Sequence, residues 1–123
     1  MSDGSTTGAP TAGGREAVTA DEAIALVSAG AYLLDVREQH EWDSGHAPDA
    51  HMLPMSELGT RLSEVPDDRE VLVVCHIGGR SARVTAALRE NGFDAIDVLG
   101  GMVAWQHAEG ELTSENGSEP QVG

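Results

Sequence analysis

The stretch VLVVCHIGGRSARVTAALRENG, residues 71–92, decides the fold. Its first five residues are apolar throughout, which is typical of a central parallel strand covered on both faces. After a tight loop, residues 81–91 place Val84, Ala87 and Leu88 on one side of a helix that ends at Gly92. A buried strand that leads through a short loop into a helix predicts an α/β protein.

The rest of the chain alternates in the same way. Thr19 and Glu22 form the sequence pattern of a capping box, which predicts a helix that ends at Gly30. Residues 37–54 are expected to be irregular because they contain Gly45, Pro48 and Pro54, apart from a brief strand at 51–53. The remaining periodic segments predict strands at 31–36 and 94–99 and helices at 58–65 and 102–107.

Length and composition favour one folded domain with two tails. We predict a domain over residues 16–108, a disordered N-terminal tail over 1–15 and a disordered acidic tail over 109–123. No apolar run approaches the roughly 20 residues of a membrane span. The first 14 residues lack the basic start and apolar core of a secretory signal. We therefore expect a cytoplasmic protein that does not contact a membrane.

The chain is strongly acidic, with a formal net charge of −14, and all seven of its cationic side chains are Arg. Nucleic acid is excluded as an expected partner because phosphate binding needs a basic surface. Solubility is the simplest interpretation of the acidity. Adaptation to high salt or a genome biased against Lys codons would give the same composition. We expect a monomer.

Cys75 lies at the carboxyl end of the central strand, where open parallel sheets bind their ligands. Gly78 and Gly79 allow the loop to curl so that its N–H groups point inward, which makes an anion cradle at a helix N-terminus. A sulfur held there is expected to be a thiolate nucleophile. Arg80 adds a positive charge at the rim, and Ser81 is expected to cap the helix.

A lone Cys at the end of an apolar strand is more often an inert small hydrophobe. The Gly-Gly-Arg-Ser turn favours a catalytic role, since an inert Cys has no need of it. As Cys75 is the sole cysteine, the chain forms no internal disulfide. Whatever Cys75 takes up must therefore leave to another molecule.

The segment CHIGGRS, residues 75–81, resembles the active-site loop of the rhodanese family, which has a Cys, four residues and then a basic residue. Other family signatures follow in the usual order and cover residues 18–105: LLDVRE at 33–38, EW at 41–42, GHAPDAHMLP at 45–54 and LGGMVAW at 99–105. The resemblance implies a three-layer fold with a central, mostly parallel five-stranded sheet flanked by helices.

Three positions depart from the family pattern, and one loop length agrees with it. Ala47 and Asp49 stand where Ile and Gly are common, which predicts a differently shaped turn after His46. His76 stands where Arg is frequent, and this difference bears on substrate preference. The related dual-specificity phosphatases place five residues between Cys and Arg, in a loop wide enough for phosphate. Four residues separate Cys75 from Arg80 here, and this smaller ring suits a single sulfur atom.

The resemblance implies a sulfurtransferase that needs no cofactor and no metal. Its Cys75 thiolate would take sulfane sulfur from thiosulfate or a similar donor as a persulfide, and then pass it to cyanide or a thiol acceptor. The implied catalytic residues are Cys75 and Arg80, and the implied structural supports are Asp35 and His46. Substrate or persulfide contacts are expected from His76, Ile77, Gly78, Gly79, Ser81 and Arg37.

Two alternatives to a stand-alone enzyme stay open. The chain could be a sulfur-relay or binding module that acts on a specific protein partner, the sulfur acceptor. It could also be a catalytically silent relative, although the presence of Cys75 and Arg80 argues against that. Partners are thus a small sulfur donor, a thiol acceptor and, in the relay alternative, a protein.

The other candidate side chains have a structural and a functional interpretation. His46 could be an acid–base group, but a hydrogen-bonded scaffold role is favoured. The histidines match no metal-ligand spacing, so no metal site is expected. Trp42 and Trp105 are expected in the core, although Trp105 could instead line the mouth of the pocket. Gly100 and Gly101 predict a turn that brings the end of the last strand close to the active loop.

Overall fold

The computed structural model describes residues 10–122, which form a five-stranded sheet between helices. The strands are β1 (Ala17–Val18), β2 (Tyr32–Asp35), β3 (His51–Met52), β4 (Val71–Val74) and β5 (Ala95–Val98). Their order across the sheet is β1-β5-β4-β2-β3, and every pair of neighbours is parallel. The predicted α/β class with a central parallel sheet is therefore confirmed.

Within residues 10–122, four α-helices lie between successive strands and a fifth follows β5. They are α1 (Ala20–Ser28), α2 (Gln39–Ser44), α3 (Leu58–Arg61), α4 (Gly79–Glu90) and α5 (Gly101–His107). Short 3₁₀ turns, Met55–Glu57 and Leu62–Glu64, flank α3, so the predicted helix at 58–65 is a composite. No helix within residues 10–122 has both the length and the apolar character needed to cross a bilayer.

The sheet separates two apolar layers because successive side chains of a strand point to opposite faces. On one face, Leu72 and Val74 of β4 belong to the cluster that includes residues of α1 and α5. On the other face, Val71, Val73 and Cys75 belong to the cluster that includes residues of α4. All four residues of β4 are buried, as expected for the central strand.

The start of α4 and the presence of α2 differ from the sequence-based prediction. The α4 helix begins at Gly79 with Gly78 as its N-cap, so the prediction that Ser81 caps it is wrong. Gly78 has a φ of 125°, which turns the chain before the helix starts. Within the segment expected to be irregular, α2 forms because the Glu41 carboxylate accepts the backbone N–H of Glu38 at 3.0 Å.

Residues 109–122 also differ from the predicted disorder, and we call them the C-terminal strap. The Trp105 indole donates to the Glu111 carbonyl at 3.0 Å, and the backbones of His46 and Thr113 pair as an antiparallel bridge. Val122 is only 4% exposed. The segment packs because its backbone groups find partners and this side chain joins the core.

The predicted N-terminal tail lies partly outside the described residues, since residues 1–9 are not described. Within the part that is described, Ala12 is 1% exposed and its N–H donates to the Glu70 carboxylate at 3.0 Å. Residue 12 therefore packs against the domain, which the polar composition of residues 1–15 did not indicate.

The predicted close approach at Gly101 is confirmed. The N–H of Met102 donates to the Cys75 carbonyl at 2.8 Å, and the N–H of Val103 donates to the His76 carbonyl at 3.1 Å. A Cβ at Gly101 would collide with both carbonyl groups, and the φ of Gly101 is +58°. A glycine is required here because the α5 backbone lies directly on the active loop.

We expect Gly101→Ala to lower the free energy of unfolding by about 3 kcal/mol, through the collision and the left-handed backbone. Gly59→Ala is the matched control, because a Cβ at this α3 position meets no atom within 4 Å. It should raise stability by about 0.5–1 kcal/mol. Urea unfolding measures both, and equal effects would contradict the close approach.

Candidate active site

Cys75 follows β4 directly, and its sulfur lies beneath the turn that starts α4. The residue is 1% exposed, and the Gly78 N–H donates to Sγ at 3.1 Å. The thiol also lies 3.4 Å from the Ser81 hydroxyl, to which it can donate, and that hydroxyl donates to the Gly78 carbonyl at 3.2 Å. The sulfur therefore has polar partners although it is buried among apolar side chains.

The predicted ring of amides is present in part. Gly78 supplies the left-handed residue and a direct N–H contact to sulfur, whereas Gly79 is already the first helical residue. The N–H groups of Gly79, Arg80 and Ser81 belong to the first turn of α4, where no intrahelical carbonyl can accept them. They and the helix dipole favour negative charge at this end of the helix.

Arg80 does not project as a free charge at the rim. Its Nη1 donates to Oε1 of Glu41 at 2.7 Å and its Nη2 to Oε2 at 2.9 Å, a bidentate pair. The Arg80 hydrogen bonds lower the pKa of Glu41 to about 2, against the effect of burial. Glu41 likewise raises the pKa of Arg80. This pair ties α2 to the beginning of α4.

Glu41 has no role in the sequence-based prediction, although it belongs to one of the quoted motifs. The two partners are 39 residues apart, so no local spacing reveals the pair. An acidic residue in the EW motif and a basic residue in the loop motif were the available signals. Only the fold brings them together.

Arg37 and Asp35 form a second ion pair, which is almost fully buried. The Nε of Arg37 donates to Oδ1 of Asp35 at 3.0 Å, and its Nη2 donates to Oδ2 at 2.8 Å. Nη2 also donates to the Gly45 carbonyl at 2.8 Å. A buried arginine needs such partners, because removing one leaves an uncompensated charge. The pair holds the chain after β2 in a fixed conformation.

A cavity of about 290 Å³ opens beside the active loop. Arg37 and His76 are both in its wall. Each lies two residues after the end of its strand, where Asp35 of β2 pairs with Val74 of β4. Cys75 itself is buried next to this wall rather than part of it. The full lining is Arg37, His40, Glu41, Ser44, His76, Gln121 and Val122.

The loop side chains predicted to contact the substrate lie in three different environments. His76 lines the cavity, whereas the side chain of Ile77 is 68% exposed to solvent. Ser81 is fully buried against the sulfur. The contribution of Ile77 to any anion held by the loop is thus limited to its backbone.

His46 joins α2 to the C-terminal strap. Its ring stacks on Trp42 with centroids 3.5 Å apart, and Nδ1 is 2.8 Å from the Trp42 carbonyl. Its Nε2 lies 3.3 Å from the carboxylate of Glu115, which is part of the strap. These contacts occupy both ring nitrogens, so the geometry is that of a scaffold residue.

Asp97 of β5 is a second acidic residue that the sequence-based prediction omits. Burial raises the pKa of Asp97, and the Ser81 hydroxyl opposes this shift. Its buried Oδ1 has no hydrogen-bond partner among residues 10–122. The signal in the sequence was a lone carboxylate within the apolar strand AIDV.

Comparisons with known proteins agree on one family. The model of the rhodanese-like domain matches residues 19–108, and the chain therefore belongs to the rhodanese-like family. YtwF of Bacillus subtilis, named as a sulfurtransferase, is 36% identical over 106 residues, which cover 86% of this chain and 93% of YtwF.

Two further similarities differ in extent. MoeZ of Mycobacterium tuberculosis, named as an adenylyltransferase/sulfurtransferase, is 42% identical over 76 residues, or 59% of this chain and 19% of MoeZ. A crystal structure of a rhodanese-related protein from Thermoplasma volcanium superposes with a TM-score of 0.76 at 26% identity, covering 80% of this chain and 97% of that one.

We expect Glu41→Gln to lower the free energy of unfolding at pH 7 by about 1–2 kcal/mol, because Arg80 loses its ionic partner. The pKa of Glu41 is lower in the folded protein than in the unfolded chain, so its ion pair stabilises the fold fully at pH values above the unfolded pKa of 4.5. The deficit should therefore shrink as the pH falls from 4.5 towards about 2, where Glu41 itself becomes protonated.

Urea unfolding of the unmodified protein and of Glu41→Gln, at pH 7 and at several pH values between 4.5 and 2, measures the difference in their free energies of unfolding. Glu64→Gln is the control, because Glu64 pairs with Arg61 on the surface and its loss should cost much less than the loss of Glu41. A deficit of Glu41→Gln that stays constant down to pH 2 would contradict the assigned pair.

Proposed function

We propose that this protein is a sulfurtransferase that accepts sulfane sulfur from thiosulfate or a similar donor as a persulfide on Cys75. It then transfers that sulfur to cyanide or to a thiol. The observation that carries the proposal is the Cys75 sulfur, held at 3.1 Å by the Gly78 amide at the head of α4. Membership of the rhodanese-like family and relatives named as sulfurtransferases support the reaction class.

The reaction has two displacements at sulfur. The Cys75 thiolate attacks the outer sulfur of thiosulfate, the S–S bond of the donor breaks, and sulfite leaves with the bonding electron pair. A new S–S bond on Cys75 is the persulfide. The acceptor then attacks the outer sulfur, and Cys75 leaves as a thiolate, so that cyanide becomes thiocyanate. No net oxidation is needed.

Each loop residue has a role in this scheme. The amides of the first turn of α4 stabilise the anionic outer sulfur, as preorganised donors do in a buried site. Arg80 favours anions nearby, and the Glu41 pair fixes its position. The Ser81 hydroxyl accepts a hydrogen bond from the thiol in the resting state and can donate one once the thiolate forms. Arg37, His46 and Asp35 keep the surrounding chain in place.

A cytoplasmic location is part of this proposal. Cys75 is the sole cysteine and must be free to react, which suits a reducing compartment.

A second candidate is a sulfur relay, in which the acceptor is a specific protein. The similarity to MoeZ favours this candidate, because the matched segment makes up only 19% of MoeZ, a much longer protein. Both candidates share the persulfide, and they differ in the molecule that removes it.

Intact-mass measurement after incubation with thiosulfate tests the persulfide. We expect a gain of one sulfur atom that a reductant removes, and no gain in Cys75→Ser. The matched control is Cys75→Ser combined with Ser28→Cys, which moves the thiol to an exposed site at the end of α1. This chain should not retain the sulfur, and equal loading of it would contradict a role for the loop.

Transfer rates from the loaded protein distinguish the two candidates. A stand-alone enzyme should turn over with cyanide or a small thiol at a kcat on the order of 1–1000 per second. A relay should transfer slowly to both and faster to a protein thiol co-purified with it. Rapid turnover with cyanide and no preference for a protein would exclude the relay.

A further inference from the structure

Asp97 of β5 carries a half-buried carboxyl group that the proposed reaction does not use. Its strand neighbours Ile96 and Val98 belong to the apolar cluster on the α5 face of the sheet, whereas Ala95 belongs to the cluster on the α4 face. Because side chains alternate along a strand, Asp97 points to the α4 face, as Cys75 does. The carboxyl group and the reactive sulfur therefore lie on the same side of the sheet.

The register of the sheet brings Asp97 close to the end of β4. Asp97 pairs with Val73 of β4, and Cys75 lies two residues further along the same chain direction. Residues two apart on a strand share a face, and neighbouring strands are about 4.7–4.9 Å apart. Asp97 and Cys75 are thus diagonal neighbours at the carboxyl end of the sheet.

The Ser81 hydroxyl is the group that links these two side chains. Its Oγ is 3.4 Å from the Cys75 sulfur, and it is close enough to the Asp97 carboxyl to oppose the rise in the pKa of that group. In the structure the hydroxyl donates to the Gly78 carbonyl at 3.2 Å. A hydroxyl has one proton to donate and two lone pairs that accept. Rotation of this one O–H therefore redirects the donor among the carbonyl, the carboxyl and the sulfur.

The Asp97 carboxyl has an unmet need for a hydrogen-bond donor. Its buried Oδ1 accepts no hydrogen bond from any residue within 10–122. A buried carboxylate oxygen without a donor disfavours the ionised form, and burial accordingly raises the pKa of Asp97. A carboxylic acid, by contrast, carries no charge and has an O–H of its own to donate. Asp97 is thus a group that is stabilised by taking up a proton.

Other charged groups near β5 do not hold Asp97 in its ionised form. The strand packs mainly against β1, β4 and α4. Within residues 10–122, no side chain on or beside these elements forms an ion pair with Asp97. Burial and the Ser81 hydroxyl are therefore the influences on its pKa. The charged or titratable residues on these elements, or within two residues of their ends, are Arg15, Glu16, Arg69, Glu70, Cys75, His76, Arg80, Arg83, Arg89 and Glu90.

We propose that Asp97 receives the Cys75 proton through Ser81 when the thiol ionises. The S–H bond breaks as its proton passes to Oγ of Ser81, and the hydroxyl proton of Ser81 passes to the Asp97 carboxylate. The products are a thiolate, a hydroxyl and a neutral carboxylic acid, so one negative charge moves to the sulfur and none is added. Asp97 acts through Ser81 and is a positioning residue. This inference rests on the proposed function for the use of the thiolate.

Two groups that share a proton titrate as a pair. Loss of the first proton leaves one negative charge that is distributed between Asp97 and Cys75. The second proton leaves at a higher pH, because two neighbouring anions repel each other. Cys75 should therefore ionise in two steps in the unmodified protein. With Asp97→Asn it should ionise in one step and at a lower pH, since no anion then opposes the thiolate.

Ultraviolet absorbance of the thiolate measures this profile without any sulfur transfer. Cys75 is the sole cysteine, so subtracting the spectrum of Cys75→Ser isolates its signal. The titration runs from about pH 4 to pH 10, which spans the ordinary pKa values of Asp and Cys. Asp97→Asn should lower the pH of half-maximal ionisation by about one unit. Asp94→Asn is the matched control, because this exposed residue precedes the opposite end of β5 and carries the same charge.

Two further measurements isolate the relay. In the Ser81→Ala background, Asp97→Asn should shift the thiol profile much less, because the linking hydroxyl is gone. The carboxyl ¹³C resonance of Asp97 gives a reading that needs no substitution at Asp97. It should titrate in two steps in the unmodified protein and in one step in Cys75→Ser, since coupling between two sites is reciprocal.

Thermal unfolding first shows which variants fold. A change from two steps to one in folded Asp97→Asn, with Asp94→Asn unchanged, supports the relay. If Asp97→Asn does not fold, a two-step carboxyl titration that Cys75→Ser abolishes supports it. An unchanged thiol profile in Asp97→Asn, an equal shift in the Ser81→Ala background, or a one-step carboxyl titration in the unmodified protein overturns it.

The same titration separates this inference from the proposed function. A protein that shows the two-step profile but takes up no sulfur from thiosulfate supports the relay and refutes the proposed function. A protein that takes up sulfur but ionises Cys75 in one step supports the proposed function and overturns the relay.

Discussion

The contact between the first turn of α5 and the loop after β4 determines the shape of the active site. The carbonyls of Cys75 and His76 accept hydrogen bonds from Met102 and Val103. In a trans peptide the carbonyl and the following N–H point in opposite directions. Holding these carbonyls against α5 therefore turns the N–H groups of His76 and Ile77 away from it. The glycine at 101 is what allows the backbones to come this close.

Two arginines near the sulfur are paired with carboxylates, and this limits what their charges can do. Asp35 occupies the guanidinium of Arg37, and Glu41 occupies that of Arg80. Each pair fixes the position of its arginine side chain. In the proposed reaction, stabilisation of an anionic sulfur is therefore assigned mainly to oriented backbone amides, which need no counter-ion and do not reorganise.

Local sequence patterns predicted the elements that depend on neighbouring residues. The apolar strand, the glycine loop and the body of α4 were all predicted from residues 71–92, because periodicity and turn chemistry are local properties. The start of α4 was misplaced by two residues, since the φ of Gly78 cannot be obtained from composition. The Glu41–Arg80 pair and the C-terminal strap were missed because each depends on contacts between segments far apart in the chain. The polar composition of residues 109–122 gave no sign that Val122 would be buried.

The pairing of β1, the first strand of the chain, has a consequence for the order in which the sheet can form during synthesis. Ala17 and Val18 of β1 pair only with Asp97 and Val98 of β5, almost at the other end of the domain. During synthesis the start of the chain must wait, without its sheet partner, until β5 has left the ribosome. Contacts of such wide sequence separation carry a loop-closure cost and slow the final step of folding. The sheet can therefore be completed only after β5 has been synthesised.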